Sequence, residues 1–174
     1  MSADEAIALL EELIAIPSFS KEEDKTAGHI EAYLHSKGVK TQRLHNNIWA
    51  RNAAYSDEKP SILLNSHHDT VKPSGAWNES PHKALTQGEK LTGLGSNDAG
   101  ASLVSLMSVF VNHYNKELPF NLIYAASAEE EISGKHGMEL LRDELGPITL
   151  AIVGEPTKME LAVAEKGLMV VDCI

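Results

Sequence analysis

A single cysteine, Cys173, leaves this 174-residue chain without a partner for an internal disulfide, so a small disulfide-stapled scaffold is excluded. Basic residues are also scarce, with fifteen Lys and Arg against twenty-five Asp and Glu and a formal charge of -10. Such a surface repels phosphate backbones and anionic membranes, so neither nucleic acid nor membrane is an expected partner. No long hydrophobic run is present either: the longest mainly apolar stretch, 99–111, carries three serines and is too short to span a bilayer. The opening Met-Ser-Ala-Asp-Glu lacks the basic and then apolar start of a signal peptide, and the expected location is cytoplasmic. Internal repeats, low-complexity segments and linker-like composition are missing as well. What is present is a composition 43% hydrophobic and 23% charged, ample for one compact core.

Ala3, Ala6, Ile7, Leu10, Leu13 and Ile14 recur at helical spacing behind a Ser2-x-x-Glu5 capping box, and Pro17 closes the segment. A second box, Ser20-x-x-Glu23, is expected to open a helix through Ala27, Ile30, Tyr33 and Leu34, with Gly38 at the left-handed C-terminal cap. Extended pieces are predicted over 39–44 and 47–52. The apolar runs 61–65, 121–127 and 149–153 have the length of buried strands, and helices are predicted between them over 99–114 and 135–145. Strands alternating with helices predict an α/β class, with a largely parallel, mixed sheet covered by helices on both faces. Segments 160–165 and 168–174 are read as two further extended pieces around Lys166-Gly167, and the sequence stops inside the second.

In open α/β sheets, ligands gather beyond the carboxyl ends of the strands. There the sequence places His67-His68-Asp69, Glu129-Glu130-Glu131 and Glu155, while Asp98 precedes the apolar helix. Each has an ordinary explanation: a satisfied surface His-Asp pair, a solvated helix start, an N-cap, an exposed turn residue. Their convergence on one predicted edge is what those explanations leave unaccounted for. A two-metal hydrolase accounts for it, because nitrogen and oxygen donors without cysteine suit zinc, cobalt or manganese, and ions about 3.5–4 Å apart need a bridging carboxylate. Asp98 is the natural bridge, His67 a ligand oriented by Asp69, and adjacent Glu130 and Glu131 point apart, so that one acts on water while the other ligates. His68 points away from His67 and is read as a structural neighbour. His29, His35, His45, His113 and His136 are read as surface or packing residues, and Cys173 as a small buried hydrophobe.

Ser66-His67-His68-Asp69-Thr70-Val71 resembles the Gly-His-x-Asp-Thr-Val motif of the co-catalytic metallopeptidase and amidohydrolase family that includes acetylornithine deacetylase, succinyl-diaminopimelate desuccinylase and carboxypeptidase G. Trp77-x-x-x-Pro81, Gly93-Leu94-Gly95-Ser96-Asn97-Asp98, Glu129-Glu130-Glu131 and Val153-Gly154-Glu155-Pro156-Thr157 follow in that family's order, and the likeness is nearest the acetylornithine deacetylase branch. The resemblance implies a phosphorylase/hydrolase-like catalytic domain with two divalent ions, zinc or cobalt. His67, Asp98 and Glu155 would hold one ion, Asp98 and Glu131 the other. It further implies that Glu130 is the general base and Asp69 the carboxylate behind the ligand His67, that the peptide after Asp98 is cis, and that the substrate is a small N-acyl amino acid. The sequence departs from the family pattern at Ser66 for glycine, at Leu94 for arginine, at Ala99-Gly100-Ala101 after the bridge, and at His82 for phenylalanine. Family members are about twice this length, so residues 1–174 are expected to be the N-terminal part of the catalytic domain. The closing histidine and the lid, which serves for homodimerisation, would lie outside them.

Overall fold

The computed structural model describes residues 1–164, and the expected extended segment 168–174 with Cys173 lies outside them. Helix α1 (Ala3–Ile14) begins as its capping box requires: Ser2 Oγ accepts from the Glu5 amide at 3.2 Å, and the Glu5 carboxylate accepts from the Ser2 amide at 2.7 Å. Helix α2 (Asp24–Ser36) ends as predicted, with Gly38 at φ 76° and the Gly38 and Val39 amides donating to His35 and Leu34 carbonyls. Its start differs from expectation. Ser20 and Glu23 form no capping box; Glu23 sits at the cap position without capping, and both side chains turn toward other partners.

Strands β1 (Gln42–Leu44), β2 (Asn47–Arg51) and β3 (Ser61–His67) come next, and then a hairpin of β4 (Leu85–Gln87) and β5 (Lys90–Thr92) that the sequence reading did not anticipate. An irregular turn, Ser96–Gly100, leads into helix α3 (Ala101–His113), and the Asp98–Ala99 peptide is cis, as the resemblance implied. Strand β6 (Asn121–Ser127), helix α4 (Met138–Leu145) and strand β7 (Leu150–Val153) complete the described elements. Helix α4 starts later than predicted because the loop from Gly134 to Gly137 is an irregular turn, with the Gly137 amide on the Gly134 carbonyl. Residues 160–164 form no strand, contrary to expectation.

The main sheet has the order β1-β2-β6-β3-β7, parallel at β6, β3 and β7 and antiparallel at β1 and β2. Alternation along the strands divides the core. Leu64, Leu122, Tyr124 and Ala126 pack with α1, α2 and α3 on one face; Leu63, Ile123 and Ala125 pack with Leu141 and Leu145 of α4 on the other. The α/β class with helices on both faces therefore holds. β7 departs from the predicted buried strand: among the described residues it lies at the sheet edge, and Leu150, Ile152 and Val153 are about half exposed. Its length was legible but its position was not, because an apolar run of four to eight residues has the same pattern at the centre and at the edge of a sheet. Among the described residues no helix is long and apolar enough to cross a membrane.

Candidate metal centre

Parallel β6, β3 and β7 end side by side, in the register His67 to Ser127 and Asn65 to Val153, so the residues that follow emerge at one edge. β3 ends on His67, which is 1% exposed, and continues to the fully buried Asp69. β6 leads into a left-handed residue, Glu129, and a short 3-10 turn carrying Glu130 and Glu131. β7 leads to Glu155, and the turn before α3 brings Asp98 down from above. His67 Nε2 lies 3.1 Å from Asp98 Oδ1 and 3.7 Å from both Glu130 Oε2 and Glu155 Oε2. The donor atoms of His67, Asp98 and Glu131 fall within 4.8 Å of one another. All the residues singled out from the sequence for chemistry thus meet at one place.

Backbone and side chains fix the donors. The Nδ1–H of His67 donates to the Asp69 carbonyl at 3.0 Å, and the Asp69 carboxylate is farther at 3.4 Å. The expected orienting contact therefore comes first from the Asp69 backbone, with its carboxylate acting as a nearby charge. That carboxylate binds elsewhere: it accepts from Ser20 Oγ at 2.8 Å and from the Glu130 and Glu131 amides at 3.0 and 3.2 Å. Ser66, noted in the sequence only as a departure from glycine, donates to the Gly154 carbonyl at 2.8 Å, next to Glu155. The sequence reading also missed Ser20 and Glu23, because a Ser-x-x-Glu spacing before a helix has a sufficient local explanation. His68 points to the opposite side, as expected, with Nδ1 against Thr26 and Nε2 on the Asn46 carbonyl. Of the other histidines, His29 meets Glu12, His35 meets Thr41, and His45 stacks on His136.

Electrostatics follow from this crowding. Burial opposes charge on His67, but the carboxylates of Asp69 and Glu155 outweigh it and raise the imidazole to about 11. Burial, joined by neighbouring carboxylates, lifts Glu130 and Glu131 above the usual range. Asp69, although buried, is held below its ordinary value by the nearby His67 ring and by hydrogen bonds from Ser20 and the Glu130 and Glu131 amides. Among the described residues, His67 is the one cationic side chain paired with Asp98, Glu130 or Glu155. An uncompensated group of carboxylates around one imidazole, without sulfur, is a donor set suited to a borderline divalent cation. The residues present fit such an ion. Beside them opens a cleft of about 350 Å³ bordered by His67, Glu130, Met138 and Glu155.

Residues 63–167 match the model of peptidase family M20/M25/M40. The chain belongs to that family. A peptidase M20 domain-containing protein of Schizosaccharomyces pombe is 30% identical over 177 residues, which cover 95% of this chain and 42% of that protein. Succinyl-diaminopimelate desuccinylase of Delftia acidovorans is 26% identical over 171 residues, covering 88% and 44% respectively. The chain thus spans less than half the length of these M20 relatives. Among solved structures, a dinuclear metal-binding M20 peptidase of Bacillus subtilis superposes with a TM-score of 0.66 at 18% identity, over 86% of this chain and 42% of the other. At that identity the match speaks for the fold: the M20 catalytic sheet and its flanking helices.

Proposed function

We propose that the protein carrying this chain hydrolyses the amide bond of a small N-acyl amino acid with two divalent ions, zinc or cobalt. The observation that carries this reading is the convergence of His67, Asp98 and Glu131, with Glu130 and Glu155 alongside, at one sheet edge. His67, Asp98 and Glu155 would hold one ion; Asp98 and Glu131 would hold the other. When bound, the ions acidify water and polarise the acyl carbonyl. The chain's own residues do the rest. Glu130 is half exposed at the cleft and is raised by burial and its acidic neighbours, so it is suited to take the proton of the attacking water and deliver it to the leaving nitrogen. Asp69 holds the Glu130 and Glu131 amides, and His67 keeps a proton on Nδ1 by donating it to the Asp69 carbonyl, which leaves Nε2 facing the carboxylates.

Within this class the proposed substrate is N-acetylornithine or a close relative such as N-acetylcitrulline or N-succinylornithine. The segments Gly154-Glu155-Pro156-Thr157 and Trp77-x-x-x-Pro81 support the deacetylase branch by resemblance. Desuccinylation of succinyl-diaminopimelate is the second reading, favoured by the name of the Delftia relative. The active form is proposed to comprise residues 1–174 together with a lid that also makes a homodimer. Full-length protein loaded with cobalt or zinc should release ornithine from N-acetylornithine, and Glu130→Gln should abolish release with metal content unchanged. Retained turnover in that variant removes Glu130 from the role, and preferred release of succinate or of amino acids from dipeptides moves the substrate to the other branches.

A further inference from the structure

We propose that Glu23 is a positioning residue of this site: its buried carboxylate sets the turn that presents Glu130 and Glu131. This rests on reading those two as base and ligand, although the turn itself can be tested without metal. Glu23 is 0% exposed, and among the described residues it forms no salt bridge. A carboxylate buried without a cation is costly unless donors surround it. They do. One oxygen accepts from the Lys21 amide at 2.7 Å and the Glu129 amide at 3.1 Å; the other accepts from Asn46 Nδ2 at 2.9 Å.

The Glu129 contact belongs to a larger arrangement. The Ala128 amide donates to Asn47 Oδ1 at 2.9 Å, the Glu129 amide to Glu23, and the Glu130 and Glu131 amides to the two oxygens of Asp69. Successive backbone donors are thus held by side chains from the start of β2, the start of α2 and the segment just after β3. Among the described residues no strand partner holds this stretch, since β6 ends at Ser127. Glu129 also has φ 55°, a left-handed conformation that non-glycine residues adopt when surrounding contacts impose it. Its own side chain turns away to His136. Glu23 therefore holds the residue at which the chain reverses, immediately before the proposed base.

A competing role is helix capping, because Glu23 occupies the cap position of α2. The side chain makes no cap hydrogen bond there, and Glu23→Asp separates the two roles. Aspartate keeps the charge and is a better N-cap, but it is one methylene too short to reach the Glu129 amide.

The test is residue-resolved amide hydrogen exchange on the metal-free 174-residue chain, with zinc calorimetry alongside. In the wild type the Glu129 amide should be protected. Glu23→Asp and Glu23→Ala should speed its exchange about tenfold or more, with β3 and β6 amides unchanged, and Glu23→Gln, which keeps a carbonyl acceptor, should restore much of the protection. Zinc affinity should fall about tenfold in Glu23→Asp, the size expected for a residue that supports ligands. An unprotected Glu129 amide in the wild type overturns the proposal, whatever the variants do. So does unchanged exchange in Glu23→Asp. Zinc binding that is absent in the wild type counts against the proposed function instead, and leaves the exchange result to decide the role of Glu23.

Discussion

Replacing Asp69 by Asn tests the support of the site most directly, because the substitution keeps the shape and removes an acceptor. The carboxylate is fully buried and accepts from Ser20 Oγ, the Glu130 amide and the Glu131 amide, with the His67 ring edge 3.4 Å away. Asparagine offers one oxygen. Placed where Oδ2 now lies, that oxygen keeps Ser20 and Glu131, but the new NH2 faces the Glu130 amide and the His67 ring. In the opposite orientation the Ser20 hydroxyl can rotate to accept, but the Glu131 amide then meets a donor. Either way one part-buried amide loses a charge-assisted bond and is left facing a donor, so the net loss should be about 1.5–3 kcal/mol. Against the roughly 5–15 kcal/mol of an ordinary domain, that is a large fraction. Urea unfolding of both chains at neutral pH reads the difference directly. A loss below about 0.5 kcal/mol would refute the assignment of these bonds, since it would mean that the amides find other acceptors without cost.

Three other outcomes follow from the same contacts. Zinc at about a hundredfold over its dissociation constant should stabilise the chain by about 2.7 kcal/mol and raise its melting temperature by several degrees, and His67→Ala should remove the shift; an equal shift in that variant would place the ion elsewhere. Gly154→Ala should destabilise by about 1–3 kcal/mol, because its Cβ would sit 2.7 Å from Ser102 Cβ and 2.9 Å from Leu106 Cδ1, forcing β7 away from α3; unchanged stability in chemical unfolding would show that the edge strand gives freely. A hydrogen bond from Lys37, with the Ser2 amide adding to it, holds Glu5 down at about 2 from 4.5, so its contribution is present above about 4.5 and is lost as pH falls toward 2. The melting temperature of wild type should therefore exceed that of Glu5→Gln at neutral pH, with the gap closing in that acid window; a constant gap would show that the Lys37–Glu5 pair does not contribute.

The elements that could be read from sequence were those whose cause is local. Ser2 and Glu5 cap α1, and Gly38 closes α2, because each bond spans only a few residues. The site residues were legible for a different reason: a polar group directly after an apolar run must emerge at a strand end, and parallel strands bring their ends together. Ser20 and Glu23 were misassigned because the same spacing serves a local cap and a distant brace. Their partners, Asp69 and Glu129, lie 49 and 106 positions away. The β4–β5 hairpin was missed because strands of three residues carry too little alternation to read. For β7, burial depended on which strand lies beyond it, a property of topology that its own residues do not encode.

The two kinds of carboxylate in this region do opposite work, and their surroundings say which is which. Glu23 and Asp69 are fully buried, and their oxygens accept hydrogen bonds from several donors, mostly backbone amides; for Asp69 these bonds outweigh burial and favour the ionised form. Asp98, Glu130 and Glu155 keep a third to a half of their side chains exposed and approach one imidazole, with few donors of their own. Partial burial, with the repulsion of like charges gathered in this way added to it, makes Glu130 and Glu131 hold their protons more tightly. The chain tolerates that repulsion because the backbone carrying it is fixed from behind: Asp69 and Glu23 hold the turn, and Ser66 holds the segment leading to Glu155. Removing a front carboxylate should therefore relieve repulsion and leave the fold intact, whereas removing a rear one should release the turn. The front group is left poised for a cation, and the rear group supplies the rigidity that keeps it so.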